Sequence, residues 1–421
     1  MMVEKEAGSM AEAFSLGGML LGASSAATQV EGGDRNNNWY DWYRRGNIKD
    51  GSDPSVATMH WERWREDAQL MADMGLQCCR LGLEWSRIEP ERGVFDESAV
   101  QHYAEELKYL SERGIKPMVT LWHFSNPLWF ERSGGFLARG AKLAFLEYVE
   151  YIVPRLAPWV DCWITLNEPN VYAVNGYMNG DWPPGRRSIP AALRVMAALT
   201  PCHIEAYELI HRLVPDARVS FANHLRVFAP EDAKNPAHRA AARASEYLFQ
   251  TAMTRAMLRG PSGRGRYYDY IGINYYTRST CSGLADGVRK GSPRNDLGWE
   301  IYPEGLEKLC RELRSRYGGP VYITENGTCD NEDAFRCRYI YEHLAAAVRG
   351  GAERYYHWCF CDNFEWIEGN SARFGLVHTD YATQGRRVKR SGEFYAGLIQ
   401  NGGVTQEMYD EYVAPQVYNV R

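Results

Sequence analysis

The chain has 421 residues, of which 45% are hydrophobic and 24% charged, a composition that excludes a largely disordered protein. Its net charge is −5 and its Lys and Arg residues are scattered, so nucleic acid is not an expected partner. No apolar run reaches the roughly 20 residues that a membrane helix needs, and we expect no membrane contact.

The N-terminal apolar segment, residues 14–27, is similar to the core of a signal peptide. However, acidic rather than basic residues precede it, and charged Glu31 follows closely, so we interpret it as part of a first strand. The chain also has ten cysteines but no CxxC pair. These spacings suit neither disulfides nor a metal site, and we expect buried thiols, no metal and a reducing, cytoplasmic location.

Short β-branched or aromatic runs alternate with amphipathic helical patterns along the whole chain, which is typical of a parallel sheet with helical crossovers. Helices are predicted around residues 60–75, 99–114, 141–156 and 334–351. The first two end on Gly75 and Gly114, which suit C-caps. Eight strands are predicted, over residues 18–31, 77–88, 116–124, 162–169, 218–224, 270–277, 321–327 and 354–364.

Eight such cycles predict an α/β fold with a single (β/α)8 TIM barrel over residues 1–421, because closure of a parallel sheet removes both exposed edges. A doubly wound open sheet is the alternative, and the lack of a glycine-rich phosphate loop after the first strand disfavours it. We expect the polar stretch 279–296 to be a loop over the barrel mouth and residues 404–421 to be an appended tail.

Two glutamates stand at the ends of predicted strands, where the active-site loops of a barrel converge. The fourth strand ends in the sequence NEP, which contains Glu168, and the seventh ends in ENG, which begins with Glu325. One such glutamate alone would ordinarily be a surface or capping residue. Two of them on strands four and seven are the paired carboxyl groups that glycoside hydrolysis requires.

The motifs TLNEPN around Glu168 and YITENG around Glu325 resemble the two signatures of glycoside hydrolase family 1, the (β/α)8 β-glucosidases and β-galactosidases. Further matches follow in order: CRLGLEWSRIEP, DYIGINYYT, GWEIYPEGL and DNFEW. The resemblance implies a retaining β-glycosidase without a cofactor, in which Glu168 is the acid/base and Glu325 the nucleophile. Their carboxyl groups should then lie about 5 to 5.5 Å apart.

The resemblance also implies a set of supporting and sugar-binding residues. Arg80 should keep Glu325 ionised, Tyr276 should donate a hydrogen bond to it, and Asn274 should support the end of its strand. Asn167 should bond the sugar 2-hydroxyl. The other expected sugar-binding residues are Gln29, His123, Trp358, Glu365 and Trp366.

Within that set, Trp358 should form the floor on which the sugar stacks, whereas Trp122 is expected to be a core residue. The chain departs from the family pattern after His123, where TLYHWDLP is replaced by TLWHFSNP. We therefore expect Phe124, Ser125 and Asn126 to change the wall near His123. The short stretch between strands five and six should alter the leaving-group side.

The expected substrate is a small β-glycoside or oligosaccharide with a neutral sugar, most of all a β-D-glucoside, with β-galactosides and β-fucosides as further candidates. One alternative is a 6-phospho-β-glycosidase of the same family, which would need a cationic phosphate cradle where this chain has Glu365. The other is a non-catalytic sugar-binding barrel, which the retained Glu168, Glu325, Arg80 and Tyr276 disfavour. The sequence does not predict an oligomeric state.

Overall fold

Eight parallel strands form a closed barrel in the computed structural model, which describes residues 13–283 and 286–420. Each strand pairs with the next in chain order, and the last pairs with the first, so the predicted TIM barrel is confirmed. The strands are β1 Leu20–Ser24, β2 Cys78–Gly82, β3 Lys116–Thr120, β4 Cys162–Asn167, β5 Val219–Pro230, β6 Ile271–Cys281, β7 Val321–Asn326 and β8 Arg354–Trp358.

Helices cover the outside of the barrel. The longer ones are His60–Asp73, Glu97–Glu112, Ala141–Leu156, Ile189–Leu213, Pro236–Glu246, Ala252–Arg259, Glu304–Tyr317, Arg336–Gly350 and Arg390–Asn401. The shorter ones are Ala27–Val30, Asn38–Arg44, Trp85–Ile88, Leu128–Arg132, Pro169–Tyr172 and Gln406–Met408. Turns of 3₁₀- or π-helix span Gly135–Leu137, Ala157–Trp159, Ala173–Asn179, Tyr247–Thr251, Trp366–Glu368 and Tyr409–Val413. All four predicted helices are present, and Gly75 and Gly114 take left-handed φ values of 73° and 77° just beyond the first two.

Six of the eight predicted strands are shorter in the structure, whereas β5 and β6 continue past their predicted ends to Pro230 and Cys281. The first ends at Ser24 and the second at Gly82, because Ala27–Val30 and Trp85–Ile88 are buried helical turns. The eighth ends at Trp358, and the chain continues to Phe364 as a buried loop. A buried turn and a buried strand are equally apolar, so the sequence pattern does not separate them.

Two predicted accessory segments are also different in the structure. The stretch predicted as a loop at 279–296 begins inside β6, and Asp286–Gly287 pairs with that strand in antiparallel fashion. The predicted tail is part of the fold: Gly403–Val404 pairs with Phe14–Ser15, and Asn419–Val420 pairs with Pro293–Arg294. A further hairpin joins Val377–Asp380 to Gly385–Val388.

The barrel interior is filled by side chains of alternate strand residues. Cys78, Met118, Ile164 and Tyr356 belong to one buried cluster. Because side chains alternate with a period of two along a strand, Arg80 points to the same interior as Cys78. Arg80 is therefore placed above an apolar layer, towards the C-terminal end of the barrel. A second, larger core includes Trp122, which is 1% exposed as predicted.

All ten cysteine side chains are buried, and burial raises the pKa of Cys79, Cys359 and Cys361 well above the ordinary thiol value. Across residues 13–283 and 286–420, no helix combines the length and apolar character needed to cross a bilayer.

Candidate active site

A cavity of about 210 Å³ opens where the barrel strands end. Of the predicted site residues, seven line it: His123, Glu168, Tyr276, Glu325, Trp358, Glu365 and Trp366. Four more lie behind the wall and bond to the lining residues: Gln29, Arg80, Asn167 and Asn274. The C-terminal face of a barrel is where its active site is expected, so the structure brings the whole predicted set together.

Local irregularities turn the two glutamates towards the cavity. The pairing register of β4 shifts between Ile164 and Asn167, and that of β7 shifts between Ile323 and Glu325. Glu168 itself has a left-handed φ of 43°. Register shifts and left-handed non-glycine residues both cost stability and gather at functional sites, where they redirect a side chain.

Arg80 fixes the position of Glu325 from the barrel interior. Its Nη1 lies 2.5 Å from Glu325 Oε1, its Nη2 donates to Asn167 Oδ1 at 2.7 Å, and its Nε donates to Thr120 Oγ1 at 2.9 Å. Arg80 is fully buried, so its guanidinium depends on these partners to replace water. The planar guanidinium therefore sets the positions of Glu325 and Asn167 together.

The ionisation of Glu325 results from opposing effects. Burial raises its pKa to about 7, Arg80 lowers it, and the neighbouring Glu168 raises it. Tyr276 also lowers it by donating its hydroxyl to Glu325 Oε2 at 2.6 Å. Arg80 and Tyr276 both favour the anion, as the resemblance implies, while burial and Glu168 oppose them and leave the pKa of Glu325 above its ordinary value.

A pH prediction follows from the nucleophile role that the resemblance implies for Glu325, because only the ionised form of a carboxyl group can attack. We expect kcat/KM for an aryl β-glucoside to fall about tenfold for each pH unit below 7. Tyr276→Phe removes a hydrogen-bond donor that favours the Glu325 anion. The fall of kcat/KM on the acidic side should therefore begin about one pH unit higher. The matched control is Tyr275→Phe, which removes a hydroxyl bonded to the Tyr302 carbonyl instead. Equal profiles for Tyr276→Phe and the wild type would contradict the expectation.

Glu168 is held by a different set of donors. Asn274 Nδ2 donates to Glu168 Oε1 at 2.8 Å and also lies 3.0 Å from Asn167 Oδ1. Thr324 fixes the orientation of the Asn274 amide by donating to Asn274 Oδ1 at 2.6 Å. His224 Nδ1 lies 3.3 Å from the same Glu168 Oε1. No cationic side chain in the described residues forms an ion pair with Glu168 in the way that Arg80 does with Glu325.

The contacts of Asn167 determine which ring nitrogen of His123 carries its proton. Asn167 Oδ1 accepts from Arg80 and Asn274, so its Nδ2 is the donor at the 2.9 Å contact with His123 Nε2. His123 Nε2 is thus an acceptor. Burial, with help from Arg80, lowers the pKa of His123 well below its usual value, so the ring is neutral and Nδ1 carries the hydrogen.

Among the predicted sugar-binding residues, two buried polar atoms lack hydrogen-bond partners within the described part of the chain. They are His123 Nδ1, a donor, and Gln29 Oε1. The Gln29 amide nitrogen is engaged, since it contacts Asn363 Oδ1, the Phe364 carbonyl and Glu365 Oε2 at 3.2, 2.8 and 3.1 Å. Gln29 therefore offers an acceptor and His123 a donor, and buried groups of this kind are ordinarily satisfied.

Glu365 completes the polar side of the cavity. It accepts from Gln29 and from the Trp358 indole Nε1, which lies 3.3 Å from Glu365 Oε2. Burial raises the pKa of Glu365 to about 8, and the negative charges of Glu325 and Glu168 raise it as well. A carboxyl group with this pKa can donate or accept hydrogen bonds near neutral pH.

Aromatic rings form much of the remaining wall. Trp358 and Trp366 lie with their ring centroids 5.8 Å from His123, and Trp182 packs edge-on against Phe124 at 4.9 Å. Such faces suit the C–H surfaces of a sugar ring.

The expectation for the segment after His123 is correct only for Phe124, which lines the cavity. Ser125 and Asn126 point elsewhere: Ser125 bonds Glu84, and Asn126 accepts from the Trp122 indole.

Some lining residues were not predicted. His224 is the last residue of the predicted fifth strand and Arg226 stands two residues beyond it, so the same rule that identified Glu168 could have found His224. Trp182 and Trp299 come from loops, and no spacing in the sequence marks them. Within the described residues, no group of three or more His, Cys, Asp or Glu is arranged to hold a metal ion.

Comparisons with known proteins agree with this geometry. The family model described as glycosyl hydrolase family 1 matches residues 12–262 and 264–404. β-Glucosidase A of Thermotoga maritima is 30% identical over 92% of this chain and 98% of its own length. The β-galactosidase of Saccharolobus solfataricus is 29% identical over 95% of this chain and 98% of its own.

Solved structures show the same similarity. The family 1 β-glucosidase of Thermotoga maritima superposes with a TM-score of 0.87 at 29% identity, covering 94% of this chain and 100% of that one. A β-glycosidase from Pyrococcus horikoshii also gives a TM-score of 0.87, at 33% identity, over 96% of this chain and 98% of its own.

Proposed function

The chain belongs to glycosyl hydrolase family 1, and from this membership we propose a retaining β-glycosidase that removes terminal neutral sugars, preferably from β-D-glucosides. The relatives named β-glucosidase support glucose, and the relative named β-galactosidase supports tolerance of a sugar that differs at one hydroxyl. Small β-glycosides or oligosaccharides are the proposed substrates.

The proposal rests on one observation: two carboxyl groups lie in one cavity, and only one of them has a cationic partner within the part of the chain that the structure describes. Glu325 contacts the fixed cation of Arg80 and the hydroxyl of Tyr276. Glu168 contacts only neutral or titratable N–H groups, those of Asn274 and His224, among the described residues. A cationic partner suits a carboxylate that must attack, whereas a carboxyl without one suits proton transfer.

The proposed reaction has two steps. In the first, Glu325 attacks the anomeric carbon while Glu168 gives its proton to the departing oxygen, and a covalent glycosyl-enzyme forms. In the second, Glu168 takes a proton from water, which attacks the same carbon and releases Glu325. Two inversions leave the β configuration unchanged, and the two carboxyl groups supply both acid and nucleophile without a cofactor.

The polar atoms of the cavity support a neutral sugar. The donor at His123 Nδ1 and the acceptor at Gln29 Oε1 are complementary to sugar hydroxyls, which both donate and accept. Glu365 adds a group that can do either. Asn167 retains one amide N–H beyond its contact with His123, which supports its proposed role at the 2-hydroxyl.

A phosphorylated sugar is the less favoured substrate. The cavity is lined by four carboxyl groups, those of Glu168, Glu325, Glu365 and Glu368, and Arg226 is the one Lys or Arg among its described lining residues. A phosphate near Glu365 would meet a carboxyl group rather than the Arg or Lys cradle that binds phosphate. The ion pair between Arg80 and Glu325 likewise disfavours a non-catalytic sugar-binding barrel, in which a buried charge pair at the cavity would have no use.

A substitution at Glu365 tests the preferred sugar. We expect Glu365→Ala to lower kcat/KM for 4-nitrophenyl β-glucoside by roughly 5- to 150-fold, the effect of about 1 to 3 kcal/mol for an unpaired buried group. The same change should have little effect on the β-xyloside, because xylose lacks the 6-hydroxymethyl group that we propose Glu365 contacts. The xyloside is thus the control for folding. Equal losses with both substrates would contradict the assignment of Glu365, and no hydrolysis of either by the wild type would contradict the proposed function.

We also propose that the chain forms one catalytic domain and that it acts in the cytoplasm. The pairing of Gly403–Val404 and Asn419–Val420 with earlier segments supports the first statement. Ten buried cysteine side chains support a reducing compartment.

A further inference from the structure

His224 lies next to both proposed catalytic glutamates but takes no part in the reaction described above. It follows Asn223 in β5, and its side chain is 9% exposed at the edge of the cavity. Its ring stacks on that of Tyr276, with centroids 5.6 Å apart and planes inclined by 16°. Its Nδ1 is 3.3 Å from Glu168 Oε1. The ring thus touches the donor to Glu325 on one side and Glu168 on the other.

Arg226, two residues further along β5, determines the tautomer of this ring. Arg226 Nε donates to His224 Nε2 at 2.9 Å. A guanidinium has only donors and keeps its proton at every relevant pH, so His224 Nε2 must be the acceptor. The hydrogen of the neutral ring is therefore on Nδ1. Protonation of Nε2 would place two N–H groups against each other, which disfavours the imidazolium form.

The tautomer has a consequence for Glu168. With a hydrogen on Nδ1, His224 presents an N–H group to Glu168 Oε1 across 3.3 Å, and Asn274 Nδ2 donates to the same oxygen at 2.8 Å. Two N–H groups therefore face Oε1, which makes this oxygen an unfavourable position for a proton. The proton that Glu168 transfers must then be carried by its other oxygen, Oε2.

We propose that His224 is a positioning residue for Glu168, held as the Nδ1–H tautomer by Arg226, which reserves Glu168 Oε2 for proton transfer to and from the substrate. This inference rests on the proposed glycosidase function. Among the described residues, the groups that face this pair include Asn274, Tyr276, Glu325 and Glu365 around Glu168, and Tyr276, Phe249 and Arg226 around His224.

The experiment compares a substrate whose leaving group must be protonated by Glu168 with a substrate whose leaving group departs without a proton. Phenyl β-glucoside requires protonation of its departing oxygen, whereas 2,4-dinitrophenyl β-glucoside requires little. With phenyl β-glucoside, His224→Leu should lower kcat/KM by roughly 10- to 100-fold, which is part of the rate enhancement that a positioned general acid contributes. With the dinitrophenyl substrate the loss should stay below about threefold.

Two further variants show whether His224→Leu acts by misplacing Glu168 or by disturbing the fold. His224→Asn places an amide N–H close to where Nδ1–H lies, and should restore most of the activity on phenyl β-glucoside. Asn223→Leu is the matched control, because Asn223 bonds Thr254 at 3.0 Å rather than any residue lining the cavity. It should not change the ratio of the two activities. Equal losses with both substrates in His224→Leu, or failure of His224→Asn to exceed His224→Leu, would overturn the proposal.

A spectroscopic measurement keeps the proposal testable if His224→Leu does not fold. The ¹⁵N chemical shifts of His224, assigned by their loss in His224→Asn, should show a protonated Nδ1 and an unprotonated Nε2 at neutral pH. An Nε2–H tautomer or an imidazolium would overturn the proposal. A wild-type protein inactive on both glucosides would instead contradict the proposed function, whatever the tautomer.

Discussion

Glu325→Ala is expected to lower kcat/KM by roughly 10⁴-fold or more for every aryl β-glucoside, whatever its leaving group. The reason is that the first step needs a carboxylate at the anomeric carbon, and Glu325 is the carboxylate that both Arg80 and Tyr276 contact. Alanine leaves Arg80 without its anionic partner. The variant then has no carboxylate beside Arg80 to attack the anomeric carbon. No glycosyl-enzyme should be detected by mass spectrometry of the intact protein after rapid quenching.

The control for Glu325→Ala is a carboxylate with similar burial that is absent from the cavity lining. Glu106 is 4% exposed and pairs with His60 at 2.8 Å. Glu106→Ala should lower the melting temperature, because it leaves His60 with one carboxylate partner fewer, but should leave kcat/KM within a small factor of the wild type. Comparable activity losses in the two variants would mean that Glu325→Ala acts through folding.

Glu168→Ala is expected to give a pattern that depends on the leaving group. Hydrolysis of phenyl β-glucoside should fall by roughly 10²- to 10⁴-fold, the usual contribution of a general acid. The first step with 2,4-dinitrophenyl β-glucoside should survive, since that phenolate leaves without a proton. The second step should be slow because no base activates water, so a burst of dinitrophenolate should precede a slow steady state.

Stopped-flow absorbance measures that burst directly, and mass spectrometry should find the glycosyl group on Glu325. A uniform loss with all leaving groups, without a burst, would contradict the acid/base role of Glu168. Asn274 keeps its contacts with Asn167 and Thr324, and His224 keeps its contact with Arg226, so the fold should be preserved in this variant.

The sequence predicts the framework of this site well because a barrel imposes a simple rule. Side chains at the C-terminal ends of its strands face one cavity, so Glu168 and Glu325 could be paired from strand order alone. The two-residue period of β2 likewise carries Arg80 into the interior, and the resemblance to a known family then assigned its partner. Each of these inferences needs only the order of the strands and the identity of the residue at the strand end.

Other features depend on packing distances that no local pattern encodes. The ends of β1 and β2 were overextended because the turns Ala27–Val30 and Trp85–Ile88 are buried and apolar like the strands before them. Ser125 and Asn126 follow a cavity residue in sequence, yet their partners Glu84 and Trp122 turn them away from the cavity.

Protonation states are the feature of the site that is hardest to predict from the sequence. The balance at Glu325 between burial, which raises its pKa, and Arg80, which lowers it, is decided by how much water the folded chain excludes, and the sequence does not encode that quantity locally. The tautomers of His123 and His224 are set by Asn167 and Arg226 across distances of 2.9 Å in both cases. A hydrogen-bond network of this kind exists only once the side chains are placed in three dimensions.

The assignment of roles to the two glutamates is tested most directly by the configuration of the glycosyl azides that the two alanine variants form from 2,4-dinitrophenyl β-glucoside. In Glu325→Ala, azide should occupy the vacated face, displace the leaving group directly and give the α-glycosyl azide. In Glu168→Ala, azide should attack the glycosyl group on Glu325 from the opposite face and give the β-glycosyl azide. Proton NMR of the two products distinguishes them through the anomeric coupling constant. Opposite configurations in this order are the predicted result, and the same configuration from both variants, or the reverse order, would contradict the account.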